Sequence, residues 1–167
     1  MQDRIERMKA EWAREYPELD SDVMATVGAL LEAGQLLEKQ HLIPFAAKFG
    51  LQKGEFDVIA SLRRAGAPYE LTPTNLYEAM LLTSSAMTSR LDRLERAGLV
   101  ERRPDPADRR GVRVRLTAKG LDLINEILPQ HVANEQAALA RLDAQERKEL
   151  DRLLRKLIQG LAPSREP

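Results

Sequence analysis

Nine arginines and five carboxylates lie between Ser84 and Arg115, a local excess of four positive charges in a chain whose 26 basic and 26 acidic side chains cancel overall. Every cation in that stretch is arginine, whose planar fork matches phosphate and the guanine edge bidentately. Ser84, Ser85, Thr88 and Ser89 open the same stretch. Short hydroxyl side chains let a backbone approach a duplex and can bond base edges or phosphate. The chemistry suggested is nucleic-acid recognition, set against the plainer reading of a charge run as a solvated face.

Other chemistries find little support. There is no cysteine, so no disulfide, thiolate nucleophile or thiol redox switch. The two histidines, His41 and His131, stand far apart in sequence without a ligand cluster, so no metal site is expected. We find no glycine-rich phosphate loop, no Ser-His-Asp arrangement near a strand end and no carboxylate pair, so catalytic residues and cofactors are expected to be absent. No run approaches the ~18 consecutive apolar residues of a membrane span, and the N-terminus is charged throughout, which predicts a soluble, cytoplasmic protein with no membrane partner.

A length of 167 residues suits one domain, and its seven aromatic residues leave the packing to Leu, Val, Ile, Ala and Met, as in helix-on-helix cores. Ile5, Met8, Trp12 and Tyr16 form the stripe of a short amphipathic helix that Pro17 ends. Asp20 or Ser21 caps a second helix, whose Val23, Val27, Leu30, Gly34 and Leu37 make a seam for another helix. Lys53–Arg64 reads as a central helix, apolar on nearly every side. Thr72 and Thr74 offer caps to a short helix through Leu81, and Thr83 or Ser84 opens one that runs to Gly98. The period then changes to two: Leu99–Arg103 and Val112–Leu116 predict a β-hairpin around a turn-rich Pro104–Gly111. Thr117 caps a helical stretch that Pro129 should bend or interrupt, and Asp143 with Glu146 forms a capping box before the Leu150, Leu153, Leu154, Leu157 and Leu161 stripe. The terminal stripes suit packing on each other or on a second copy.

The fold class is therefore mostly α with a small β-hairpin, and helix, turn, helix, basic ribbon is the order of a winged helix-turn-helix. On the second of those helices Met87, Leu91 and Leu94 fall within about 60° of one another at 100° per residue. Ser85, Ser89, Asp92, Arg93 and Arg96 take the opposite side, so Arg93 is expected to face outward and reach phosphate.

Residues Leu51 to Gly120, most closely the run LTSSAMTSRLDRLERAGLVERRPDPADRRGVRVRLTAKG, resemble the MarR family of bacterial winged-helix regulators. The most specific element is Asp108-x-Arg110-x-x-x-Val114-x-Leu116-Thr117. In that family the Asp orients a wing-tip Arg for the minor groove, which implies a DNA role for Asp108, Arg109 and Arg110. The resemblance implies four segments: an added helix over 1–19, a dimerisation helix over 20–50, a winged DNA-binding lobe over 51–116 and C-terminal dimerisation helices over 117–167. It further implies a homodimer on a palindromic double-stranded DNA operator.

The added N-terminal helix is similar to that of the urate-responsive (PecS-like) branch of the family. That likeness assigns a purine site to Trp12, Asp57, Arg90 and Arg102. On the residues alone, Asp57 in an apolar helix calls for a cation, and Arg90 points further inward than Arg93, toward a pocket that Arg102 could share. The implied function is a repressor released by urate or a related purine. The alternatives are a MarR-type regulator answering a phenolic or aromatic carboxylate effector and, more distantly, a helical interaction module without DNA.

Overall fold

A computed structural model of the chain describes residues 4–80, 84–108 and 111–162, without the side chains of Ala79 and residues 84–86. The recognition candidates Arg109 and Arg110, and the side chains of Ser84 and Ser85, therefore lie outside the described residues.

Helix α1 (Arg4–Glu15) lies on α2 (Ser21–Leu37), which Asp20 caps by accepting the Val23 N–H at 3.0 Å. Their close approach rests on Gly28, where a Cβ would stand 3.2 Å from Met8 Cε and 3.3 Å from Ile5 Cδ1. Ion pairs of Lys9 with Asp22 and of Arg4 with Glu32 flank the contact. The chain continues through a π-helical turn, Glu38–Leu42, into α3 (Ile43–Ala47). Pro44 has no N–H to give to the preceding turn, and a wide turn is one way a helix absorbs that loss. The Asn134 side chain bonds the His41 carbonyl at 3.2 Å.

The core gathers around α4 (Glu55–Arg64), whose Val58, Ile59 and Leu62 are fully buried. Against it lie Leu76 of α5 (Pro73–Met80), Met87, Leu91 and Leu94 of α6 (Ser84–Arg96), and Ile124 and Ile127 of α7 (Ala118–Ala138). The Thr72 hydroxyl caps α5 by accepting the Asn75 N–H at 3.1 Å. Gly98, at φ +70°, closes α6, with the Leu99 N–H bonded to the Leu94 carbonyl at 2.9 Å.

The hairpin strands are β2 (Val100–Pro104) and β3 (Val112–Leu116), but the sheet has a third member. The two-residue β1 (Glu70–Leu71) pairs with β3, giving the antiparallel order β1-β3-β2 with Glu70 opposite Arg115 and Arg102 opposite Val114. A strand that short has no alternation to detect. Val114 and Leu116 are buried while Arg113 and Arg115 take the other face, as the period of two requires.

Helix α7 runs unbroken across Pro129, so of the bend or interruption expected there the interruption does not occur. The proline removes one donor from the ladder, while buried Ile124 and Ile127 in the preceding turns anchor that part of the helix to the core. Its start is fixed by Thr117, whose hydroxyl accepts the Gly120 N–H at 3.0 Å and donates to the Gly98 carbonyl at 2.7 Å. Lys119 donates to the Ala97 carbonyl at 2.8 Å, so the end of α6 and the start of α7 form one junction. Helix α8 (Ala144–Leu161) carries the expected capping box of Asp143 and Glu146 and buries none of its residues within the chain.

Gly120 lies directly against the Leu99 carbonyl, where a Cβ would overlap the backbone. Gly120→Ala must therefore push α7 away from β2. The expected cost is about 2 kcal/mol, read as a fall in Tm of about 6 °C; an unchanged melting curve would contradict this account of the junction.

Candidate nucleic-acid interface and ligand crevice

The rotation of α6 follows from its three buried residues, Met87, Leu91 and Leu94, which lie on one face. That burial turns Thr88, Ser89 and Arg96 to solvent. The wing is closed by two backbone bonds, Asp105 N–H to the Gly111 carbonyl at 2.9 Å and Gly111 N–H to the Asp108 carbonyl at 2.8 Å. Asp108 is exposed in this turn.

Asp105 is the acid that organises the described part of the wing. Its carboxylate accepts the Ala107 N–H at 2.9 Å and pairs with Arg113 at 3.1 Å, and Arg113 also reaches Glu70 of β1 at 3.6 Å. The backbone bond first and Arg113 second hold the Asp105 carboxyl below its usual range. The pairing therefore persists at all pH values above that range and is lost only as pH falls through the depressed value.

Two arginines are placed differently from the sequence expectation. Arg93 turns to Glu55 rather than straight outward: its Nε donates to Glu55 Oε1 at 2.6 Å. The other carboxylate oxygen of Glu55 accepts the Gln52 N–H at 2.6 Å, and the residue is only 4% exposed. The acid in the central helix that needs a cation is thus Glu55, at the first turn of α4, and Asp57 is exposed. A buried carboxylate without such partners would carry a large desolvation penalty. The spacing from Glu55 to Arg93 spans 38 residues, and nothing local in the sequence signals the pair.

Arg102, expected beside Arg90, is held on the other side of α6. Its terminal nitrogens bond Asp92 at 2.6 Å and Glu95 at 2.5 Å, and its backbone N–H also goes to Glu95. The bond to Asp92 is the main reason its pKa is raised. Two acids one turn apart on α6 hold the guanidinium against β2, away from any pocket with Arg90.

Between α4, the π-helical turn and α7 lies a crevice of about 880 Å³, within the range of small-molecule sites. Phe45, Phe56, Leu42 and Leu128 supply apolar wall, and His131 contributes a ring 4.2 Å from that of Phe56. Asp57 and Arg90 line the crevice; Arg102 and Trp12 do not. Trp12 lies on α1, 40% exposed, because α1 packs on α2. The four candidate purine contacts therefore do not converge within one chain.

The crevice instead brings in Arg63, Arg64 and Lys53, which sequence reasoning missed. Lys53 is paired with Glu38 at 2.6 Å, and Arg63 bonds Asn125 at 2.8 Å and lies over the Tyr69 ring. Arg64 sits seven residues after Asp57, two helical turns along the same face, and that spacing was the available signal. Among the described residues neither Arg64 nor Arg90 has an acidic partner within ion-pair distance. The Arg90 guanidinium rests on Gly54, whose φ of +77° and lack of a Cβ make room for it. Among the described residues no group of three His, Asp or Glu could hold a metal, and no helix is long and apolar enough to cross a membrane.

Comparison with known proteins agrees with this architecture. Residues 49–111 match the MarR family model. The chain is 38% identical over 155 residues to the HTH-type transcriptional regulator PecS of Dickeya dadantii (strain 3937), covering 93% of each chain. Among solved structures it is similar to a mutant MarR from E. coli complexed with operator DNA, with a TM-score of 0.71 and 28% identity over 88% of this chain and 97% of that one. It is also similar to Sco3205, a MarR family transcriptional regulator from Streptomyces coelicolor in complex with DNA, with a TM-score of 0.79 and 28% identity over 87% and 91%. With a three-stranded wing behind a helix that turns small hydroxyls outward, and this likeness along nearly its whole length, the chain belongs to the MarR family of winged helix-turn-helix transcriptional regulators.

Proposed function

We propose that the protein is a homodimeric repressor of a palindromic operator, released when a planar purine anion, urate in the first instance, enters the crevice beside α4. The observation that carries the ligand class is the pair Arg64 and Arg90, two guanidinium groups without an acidic partner among the described residues, in the lining of a crevice that also presents the Phe45, Phe56 and His131 rings. Such groups bond planar oxyanions bidentately, and the Phe56 and His131 rings offer flat surfaces for stacking. The exposed carboxylate of Asp57 lies in the same lining. An anion held by the arginines repels it, and the strain falls on the α4–α6 contact that Arg90 and Gly54 form.

DNA enters through the exposed face of α6 and the wing, as the structures of relatives with DNA support. Ser89 and Thr88 are placed for base or phosphate contact, Arg93 flanks them, and Ser84, Ser85, Asp108, Arg109 and Arg110 complete the proposed contact set. Dimerisation is supported by apolar side chains left uncovered in the single chain. Val23, Val27 and Leu31 of α2 and Leu153, Leu157 and Ile158 of α8 are all exposed, more than an isolated domain leaves to water.

A mobility shift on the intergenic region upstream of the chain's own coding sequence tests both halves. Millimolar urate is expected to raise the apparent operator Kd by about tenfold or more. Arg64→Ala and Arg90→Ala should blunt that response, and Lys53→Ala, whose partner is Glu38, should preserve it. A larger response to 4-hydroxybenzoate than to urate would reassign the crevice to phenolic carboxylates, and calorimetry without heat from either would remove the effector.

For the dimer, Leu157→Glu is expected to yield a monomer by sedimentation and to weaken operator binding sharply, because two half-sites then bind independently. A dimer that survives this change would move the interface away from α8.

A further inference from the structure

Glu55 is the most buried charged residue among those described, and it holds an arginine of the recognition helix. Its two oxygens are both committed, one to the Gln52 N–H and one to Arg93 Nε, each at 2.6 Å. The carboxylate is thereby fixed from its own backbone turn and offers its remaining edge to α6. The Arg93 side chain is one-third exposed, so it passes from the protein interior toward solvent. Nε is the inner nitrogen of a guanidinium. An arginine gripped there extends its two terminal nitrogens beyond the contact in a fixed plane.

The position on α6 matters as much as the pairing. Arg93 lies about 40° around the helix from Ser89, which is exposed, and about 60° from Arg90, which faces the crevice. It stands on the flank of the exposed face, where the rim of a groove, and hence a phosphate, meets a helix lying in it.

We propose that Glu55 is a positioning residue for operator recognition, holding Arg93 as a preorganised clamp for one backbone phosphate in each half-site. The pair is neutral overall, so it adds little to the general attraction of the protein for DNA. It acts when the helix is seated in the groove and the phosphate lies in the plane of the held fork. Glu55 therefore contributes to the preference for operator over other duplex, although it touches no DNA and carries the wrong charge to attract it.

This inference rests on the DNA-binding reading above, and the experiment separates the two. Whether the wild-type protein selects a duplex from a random pool tests that reading. How variants discriminate the selected duplex from a scrambled one, across a salt series, tests Glu55. Glu55→Met removes both acceptors at similar side-chain length. It is expected to bind the scrambled duplex as tightly as wild type or tighter, since one negative charge per protomer is gone, yet to lose about tenfold on the selected duplex, the loss of a charge-assisted hydrogen bond. Arg93→Lys keeps the charge and lacks the fork. It should lose discrimination to a similar extent while its salt slope stays within about one unit of wild type.

Glu55→Gln, with one acceptor for two donors, should fall between, and it supplies the comparison if Glu55→Met does not fold. The double variant Glu55→Met/Arg93→Met buries no unpaired charge and is expected to discriminate no worse than Glu55→Met alone. The proposal is overturned if a folded Glu55 variant changes its affinity for both duplexes by the same factor. It is equally overturned if the double variant loses a further tenfold, because the two residues would then act independently.

Discussion

The burial of Met87, Leu91 and Leu94 is the constraint on which the remaining features depend. A helix with three large apolar residues on one face has one rotation that removes them all from water, and at about 2 kcal/mol for each side chain no surface interaction competes with it. Once that rotation is set, Ser89 faces solvent, Arg90 faces the crevice and Arg93 is carried to Glu55. The same rotation aims Asp92 and Glu95 at β2, where Arg102 closes the gap. The exposed hydroxyl face, the crevice lining and the wing attachment are three sides of one helix.

Charge is arranged more economically than the arginine count suggests. Of the nine arginines between Ser84 and Arg115, Arg93, Arg102, Arg103 and Arg113 are engaged by acids within the chain. These pairs act mainly as struts: Arg102 ties β2 to α6, and Arg113 ties the wing turn to β1 through Asp105 and Glu70. Partly exposed pairs of this kind contribute little stability individually. Their value lies in geometry: buried Val100, Val114 and Leu116 anchor the sheet, and the pairs fix β2 on α6 and the wing turn on β1.

The end of α6 is bound to the start of α7 through Gly98, Thr117 and Lys119, with Gly120 against the Leu99 backbone. That junction joins the recognition helix to the long helix whose far end approaches α8. On the opposite side, α4 meets α6 at Gly54 and Glu55, one under Arg90 and the other under Arg93. Gly54 and Arg90 of the second connection line the crevice, so a change in its width bears on α6 through the α4–α6 contact. The arrangement is one contiguous set of contacts, from Gly54 and Arg90 in the crevice lining to the exposed face of α6.

Local order was legible in the sequence because its causes are local. Side chains at Asp20, Thr72, Thr117 and Asp143 reach donors two or three residues on, and the helical and strand periods declare themselves within a dozen residues. The family, the winged order and the inward face of α6 followed from those signals together with the wing motif. The two-residue β1 and the continuity of α7 through Pro129 did not, because pairing with β3 and packing of Ile124 and Ile127 decide them. The site was least legible. An arginine side chain is long enough to choose among partners on several elements, so Arg93 finding Glu55, Arg102 finding Asp92 and Glu95, and Arg64 joining Arg90 at the crevice depend on distances that exist only once the helices are packed. The sequence alone determined which residues could bear charge at the interface; the tertiary structure decided which of those charges were already taken.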